Sequence, residues 1–164
     1  MKSNVPVFRQ LSWASVIVQF LLIGLIIYIF YVLDFWEPFF LGALTYAFLA
    51  IVLRNLIPKK HKQGMRLVLR QRFAEAIPFF EKSVDYFTQH SWVDKYRFLT
   101  FLNSSKMAYR EMGLCNIAFC HSQLGNVQKA KAFYERVRKE YPDNGLAIAA
   151  LNLINSLEQQ NKKL

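Results

Sequence analysis

Ionisable side chains are scarce in the first third of this 164-residue chain: between Leu11 and Leu53 only Asp34 and Glu37 carry charge. That shortage excludes an ordinary soluble domain there. A mean hydropathy of only +0.14 equally excludes a chain that threads a bilayer from end to end. Cysteine is nearly absent, and two residues, Cys115 and Cys120, are too few for a disulfide scaffold. On one helix they would point to different faces, about 7.5 Å apart along the axis, so they read as reduced core thiols. Chemistry-bearing patterns are missing too. His61, His90 and His121 lack metal-ligand spacing, and no Gly-rich phosphate loop, nucleophile elbow or carboxylate pair occurs. No enzyme, metal or cofactor is expected. With 54% hydrophobic residues, six glycines and five prolines, the chain is neither disordered nor collagen-like, and its length suits one domain with a small appendage.

What fills the charge-poor third is two apolar runs. Leu11 to Leu33 holds no ionisable group, and at about 1.5 Å per residue it exceeds the ~30 Å hydrocarbon core of a bilayer. A signal peptide fits poorly, since the run is too long for an h-region and no small-x-small cleavage site follows. The second run, Phe39 to Leu53, reaches a span's length if Leu56 and Ile57 are included and Arg54 snorkels toward the headgroups. A buried core helix or a re-entrant segment is its alternative. We expect transmembrane helices at about 11–33 and 39–57, joined by the turn Asp34 to Pro38, as a hairpin occupying residues 1–57. Lys2 and Arg9 on one side, and Arg54, Lys59, Lys60, Lys62, Arg66, Arg70 and Arg72 on the other, place both termini in the cytoplasm. A bacterial inner membrane suits the short loops. Gly24, Gly42, Ala43 and Ala47 offer small surfaces for close helix packing. Gln19 and Thr45 are the notable polar groups in the spans, so the hairpin reads as an anchor rather than a conducting element.

Beyond residue 57, apolar residues recur at three and four, which is an all-α pattern. Leu114, Ile117, Ala118, Gly125, Ala130, Tyr134 and Pro142 then stand in a 34-residue motif of bulky, small, turn and aromatic positions. This motif resembles the tetratricopeptide repeat (TPR). The resemblance implies a short TPR-like α-solenoid over residues 58–164. Its strong repeat would cover about 111–144. A weaker copy at about 57–90 has Gly64, Ala76 and Phe80 at the matching places and Gln71 where the turn glycine belongs. A capping helix would follow at about 145–160. Ala76 and Ala130 lie 54 residues apart, so residues 91–110 are an insertion into a regular array. Trp92, Val93, Tyr96, Phe98, Leu99, Phe101 and Leu102 make it too apolar for a solvated loop. It either packs on the repeats, dips into the membrane interface or binds a partner. Ser104 or Ser105 is the expected N-cap of the helix that follows.

Charge divides in the same place. Residues 54–72 hold seven Lys/Arg and no acid, which fits attraction to anionic lipid headgroups through Arg54, Lys59, Lys60, Lys62 and Arg66. Nucleic acid is not an expected partner, because the basic residues are not interleaved with a stacking platform. The TPR resemblance implies a protein partner, a peptide or helix, in a groove lined by Met112, Cys115, Phe119, Ser122 and Gln123, with Leu146, Ala149, Leu153 and Ser156 from the capping helix. Lys, Arg and Asn are missing from that set, which argues for an apolar ligand or for residues 91–104 as its occupant. The expected function is a membrane-anchored TPR adaptor or scaffold at the cytoplasmic membrane surface. The alternatives are a regulatory or immunity-type protein whose hairpin binds a partner within the bilayer, and a small subunit of a membrane complex.

Overall fold

The computed structural model describes residues 13–56, 58–102 and 105–161. The expected helix limits at Leu11 and Ile57, and Ser104 as an N-cap, lie outside the described residues. Among the described residues the chain is all-helical: α1 Trp13–Val32, α2 Pro38–Leu56, α3 Lys59–Leu69, α4 Phe73–Gln89, α5 Ser91–Lys95, α6 Arg97–Thr100, α7 Tyr109–Gln123, α8 Val127–Glu140 and α9 Gly145–Asn161. They form two compact units that interleave in sequence. One comprises residues 60–90 and 108–161; the other joins residues 13–59 to 91–107. The segment between α4 and α7 thus returns to the unit of the two long apolar helices.

In that unit α1 packs antiparallel on α2. Asp34 takes a left-handed φ of 54°, and the amides of Asp34 and Phe35 bond back to the Tyr31 and Phe30 carbonyls. This six-to-one closure satisfies carbonyls at the end of α1. Only one expected glycine contact forms. A Cβ on Gly42 would lie 2.6 Å from Ile27 Cγ1 and 2.9 Å from its Cα, whereas Gly24 has open space beside it. Ala50, two turns on, is buried with Gly42, while Ala43 and Ala47 point outward. The approach follows one stripe of α2, because residues four apart share a helix face. Trp13, Phe20, Leu21, Leu25, Tyr28, Phe40, Leu44 and Phe48 remain exposed.

The other unit buries its apolar side chains. α4 packs on α7, α7 on α8, and α8 on α9. Phe80, Leu114, Ile117, Ala118, Ala130, Val137 and Leu151 form the core with almost no exposure. Small residues set the spacing: a Cβ on Gly64 would meet the Phe80 ring at 2.8 Å, and one on Gly113 would meet Val84 at 2.6 Å. Both turns use the closure seen in the hairpin. Gln71 at φ 59° and Gly125 at φ 75° mark the ends of α3 and α7, with Arg72 bonding to Leu67 and Asn126 to His121 at 2.9 Å each. α7 starts later than Ser105. Its N-cap is Ala108, whose amide donates to the Glu111 carboxylate at 3.2 Å. The Ser105 carbonyl, which a longer helix would require, accepts instead from Arg97 Nε at 2.8 Å.

Candidate partner surface of the helical repeats

α7 is the middle helix, covered by α4 on one flank and α8 on the other, and this decides which groove residues stay open. Cys115 does not reach the surface, contrary to its expected place in the groove. It is buried beneath Asn144, whose amide lies 3.6 Å from its sulfur. Burial pushes its thiol up to about 12, with the Glu111 charge adding to the effect. Cys120 is likewise raised to about 12 by burial. Both thiols are therefore protonated and inert as nucleophiles. Met112 is half-buried. Phe119 is also half-buried, edge-on to Phe73 with ring centroids 5.9 Å apart, so α4 covers much of the ring. The Ser122 hydroxyl donates to the Phe119 carbonyl at 2.7 Å, and Gln123 is exposed. On α9, Leu146 packs against the core, while Ala149, Leu153 and Ser156 are exposed. The Ser156 hydroxyl is turned back onto the Asn152 and Leu153 carbonyls.

The basic residues differ among themselves. Lys59 and Arg66 are exposed, and the Lys60 ammonium lies 5.9 Å from the Phe79 ring centroid. Arg54 is exposed but donates to the Leu102 carbonyl, which commits part of its guanidinium to protein.

Several residues that organise this surface carry weak sequence signals. Asn144 caps α9 by accepting the Ala147 amide at 2.8 Å and donates to Glu111 at 2.7 Å, so one side chain ties α9 to the start of α7. Its position after Pro142-Asp143 was the available clue. Arg110 bonds Thr88 of α4 at 2.8 Å and pairs with Glu140 of α8. That pairing holds the Glu140 carboxyl below its usual range. His61 is buried against Phe80 and Tyr109, at ring distances of 5.4 and 5.2 Å. Its Nδ1 has no hydrogen-bond partner, and burial lowers its pKa to about 4.

Between α8 and α9 lies an open depression of about 530 Å³ lined by Glu135, Arg138, Lys139, Leu151 and Asn155. Its rim carries both signs of charge, Glu135 beside Arg138 and Lys139, around the buried Leu151. Nearby, Phe133 of α8 stacks on His121 of α7 with ring centroids 5.8 Å apart.

No group of three or more His, Cys, Asp or Glu side chains is disposed to hold a metal among the described residues. Comparison with curated proteins and with solved structures gives no match. A family model for the tetratricopeptide repeat matches residues 114–144, from the first buried leucine of α7 through α8 to the cap of α9. That repeat is typically a non-enzymatic protein-interaction fold.

Proposed function

We propose that this chain is a membrane-anchored adaptor. The α1–α2 hairpin crosses a membrane twice with both chain ends cytoplasmic, as in a bacterial inner membrane, and the helical repeats hold a protein partner at that surface. The observation that carries the anchor is the outward display of Phe20, Leu21, Leu25, Tyr28, Leu44 and Phe48 along two helices of 20 and 19 residues. The core helix of a soluble protein hides such groups, and water would penalise this much contiguous apolar surface. Acids in the turn at Asp34 and Glu37, against the basic run from Arg54 to Arg72, support cytoplasmic repeats in contact with anionic headgroups. The repeat matched at residues 114–144 supports the partner-binding half. Gln123, Ala149 and Leu153 are the groove residues left most open for it.

Impermeant thiol labelling of intact cells tests the arrangement. The native thiols are buried, so single cysteines can be introduced beside them. Phe35→Cys should label and Gln159→Cys should label only after permeabilisation; the reverse pattern sinks the topology. Leu153→Glu in the full chain should leave melting unchanged and weaken capture of the native partner. Unchanged capture removes the groove from the mechanism.

A further inference from the structure

The segment between α4 and α7 carries a second apolar surface, distinct from the hairpin faces. Trp92, Tyr96 and Leu99 are 60%, 44% and 47% exposed, and although the helix breaks at Tyr96, the Tyr96 amide bonds the Trp92 carbonyl and the Leu99 amide the Tyr96 carbonyl, so successive members lie one turn apart. The opposite side is buried through Val93, Asp94, Phe101 and Leu102. This is a braced element rather than a loose loop. The Arg97 guanidinium donates to the Asp94 carbonyl at 2.9 Å and the Ser105 carbonyl at 2.8 Å, and the Thr100 hydroxyl donates to the Val93 carbonyl at 2.8 Å. Leu102 is held at a left-handed φ of 51°, which a leucine rarely adopts, and its carbonyl accepts from Arg54 near the end of α2. α6 also packs against α1. Because α2 returns antiparallel to α1, Arg54 marks the end of the hairpin at which α1 begins. The braced element sits at that end.

We infer that the Trp92–Tyr96–Leu99 face seats in the headgroup layer of the membrane crossed by the hairpin, as a third contact that fixes the depth of this unit; the inference rests on the membrane reading above. A lipid surface is the occupant that this site fits. The face belongs to the unit that carries the exposed apolar faces of α1 and α2. Two of its three members are the amphipathic aromatics that favour the interface. A cation flanks it, the Lys95 ammonium lying 5.7 Å from the Tyr96 ring centroid.

The full chain carrying W13F and W36F leaves Trp92 as the single indole of the three. Trp13 and Trp36 are both exposed, so neither change disturbs packing. The protein is placed in nanodiscs of phosphatidylcholine and phosphatidylglycerol, with doxyl quenchers either near the headgroup or at the acyl-chain end. Trp92 emission should be blue-shifted and quenched several-fold more by the shallow doxyl than by the deep one or by aqueous iodide. Free quenching by iodide with none by either doxyl overturns the inference, as does protection from all three, which would signal a protein contact. Alkaline carbonate extraction of the native chain from membranes reports separately on the hairpin. Release into the supernatant rejects the membrane reading and this inference with it, whereas retention with an iodide-accessible Trp92 rejects only this inference.

Discussion

Both α1–α2 and α7–α8 are antiparallel helix pairs whose first helix ends on a left-handed residue, Asp34 at φ 54° in one and Gly125 at φ 75° in the other. Each unit also brings two helices together over a small residue, Gly42 of α2 against Ile27 of α1 in one and Gly113 of α7 against Val84 of α4 in the other. They differ in what faces outward. α8 shows solvent Lys129, Glu135, Arg136, Arg138 and Lys139, with Ala130, Tyr134 and Val137 inward. α2 shows Phe39, Phe40, Leu44, Phe48 and Ile51 outward, with Gly42 and Ala50 inward. Hydrogen-bond closure and close packing are therefore common to both units. The outward side chains, apolar on α2 and charged on α8, are what separates the two, and on the proposed reading they match lipid and water.

The strongest way to break that comparison is to place one charge on each kind of exposed surface. Phe48 and Leu69 are similarly exposed, at 68% and 72%, so accessibility alone predicts equal outcomes. If Phe48 faces lipid, Phe48→Arg should cost about 2.5–3.5 kcal/mol of insertion, read as lost membrane retention of the full chain. Leu69→Arg, in water at the end of α3, should stay within about 0.5 kcal/mol by thermal melting. Equal tolerance would mean that the two surfaces meet the same solvent.

Acid sharpens the contrast from the side of the helical repeats. The neutral imidazole of His61 is buried with its pKa lowered to about 4, while the unfolded chain takes up that proton near its ordinary value of about 6.5. The folded state therefore binds fewer protons between these values. Its stability is complete above about 6.5, declines as pH falls, and levels off below about 4, a loss on the order of 3 kcal/mol. Melting of the full chain in detergent at pH 7 and pH 4.5 should show the decline, and His61→Leu should remove most of it. An unchanged pH slope in His61→Leu would place the sensitivity elsewhere.

A smaller effect isolates the shared turn. Gln71 occupies at φ 59° the position that Gly125 holds at φ 75° in the next pair. Gln71→Gly should raise stability by up to about 1 kcal/mol, because glycine removes the Cβ penalty of the left-handed region. Gly125→Ala should lower stability by a similar amount. Identical melting of Gln71→Gly and the parent would mean that local side-chain contacts already offset the strain at Gln71.

Much of the plan is legible in residue order. An uncharged run longer than a bilayer span and a 3.6-residue period are local signals, as is the recurrence of small and aromatic residues at Ala76/Phe80 and Ala130/Tyr134. The left-handed turn could be located even where glycine is replaced, because Gln71 and Gly125 stand at the same offset as Ala76 and Ala130. The candidate groove was less legible. Family position places Cys115 and Phe119 on an open face, yet Asn144 covers the thiol and Phe73 covers the ring. Both come from other helices, so the spacing within α7 carries no trace of them.

The residue order by itself determined that the chain is helical, where two long helices are apolar all round and where the small and aromatic repeat positions recur, since each depends on side chains within a few turns; it showed neither α5 and α6 nor which of Gly24, Gly42, Ala43 and Ala47 meets the other helix. Only the tertiary structure decided that residues 91–107 join the unit of α1 and α2, and that α7 begins at Tyr109. Ser105 has the local chemistry of an N-cap, but Arg97 takes its carbonyl and that of Lys106. The Leu102 carbonyl goes to Arg54, 48 residues earlier. Charge-assisted bonds to the Ser105 and Lys106 carbonyls favour the conformation that turns them toward Arg97 over a helix starting at Ser105, and that competition is settled in three dimensions rather than by the local spacing.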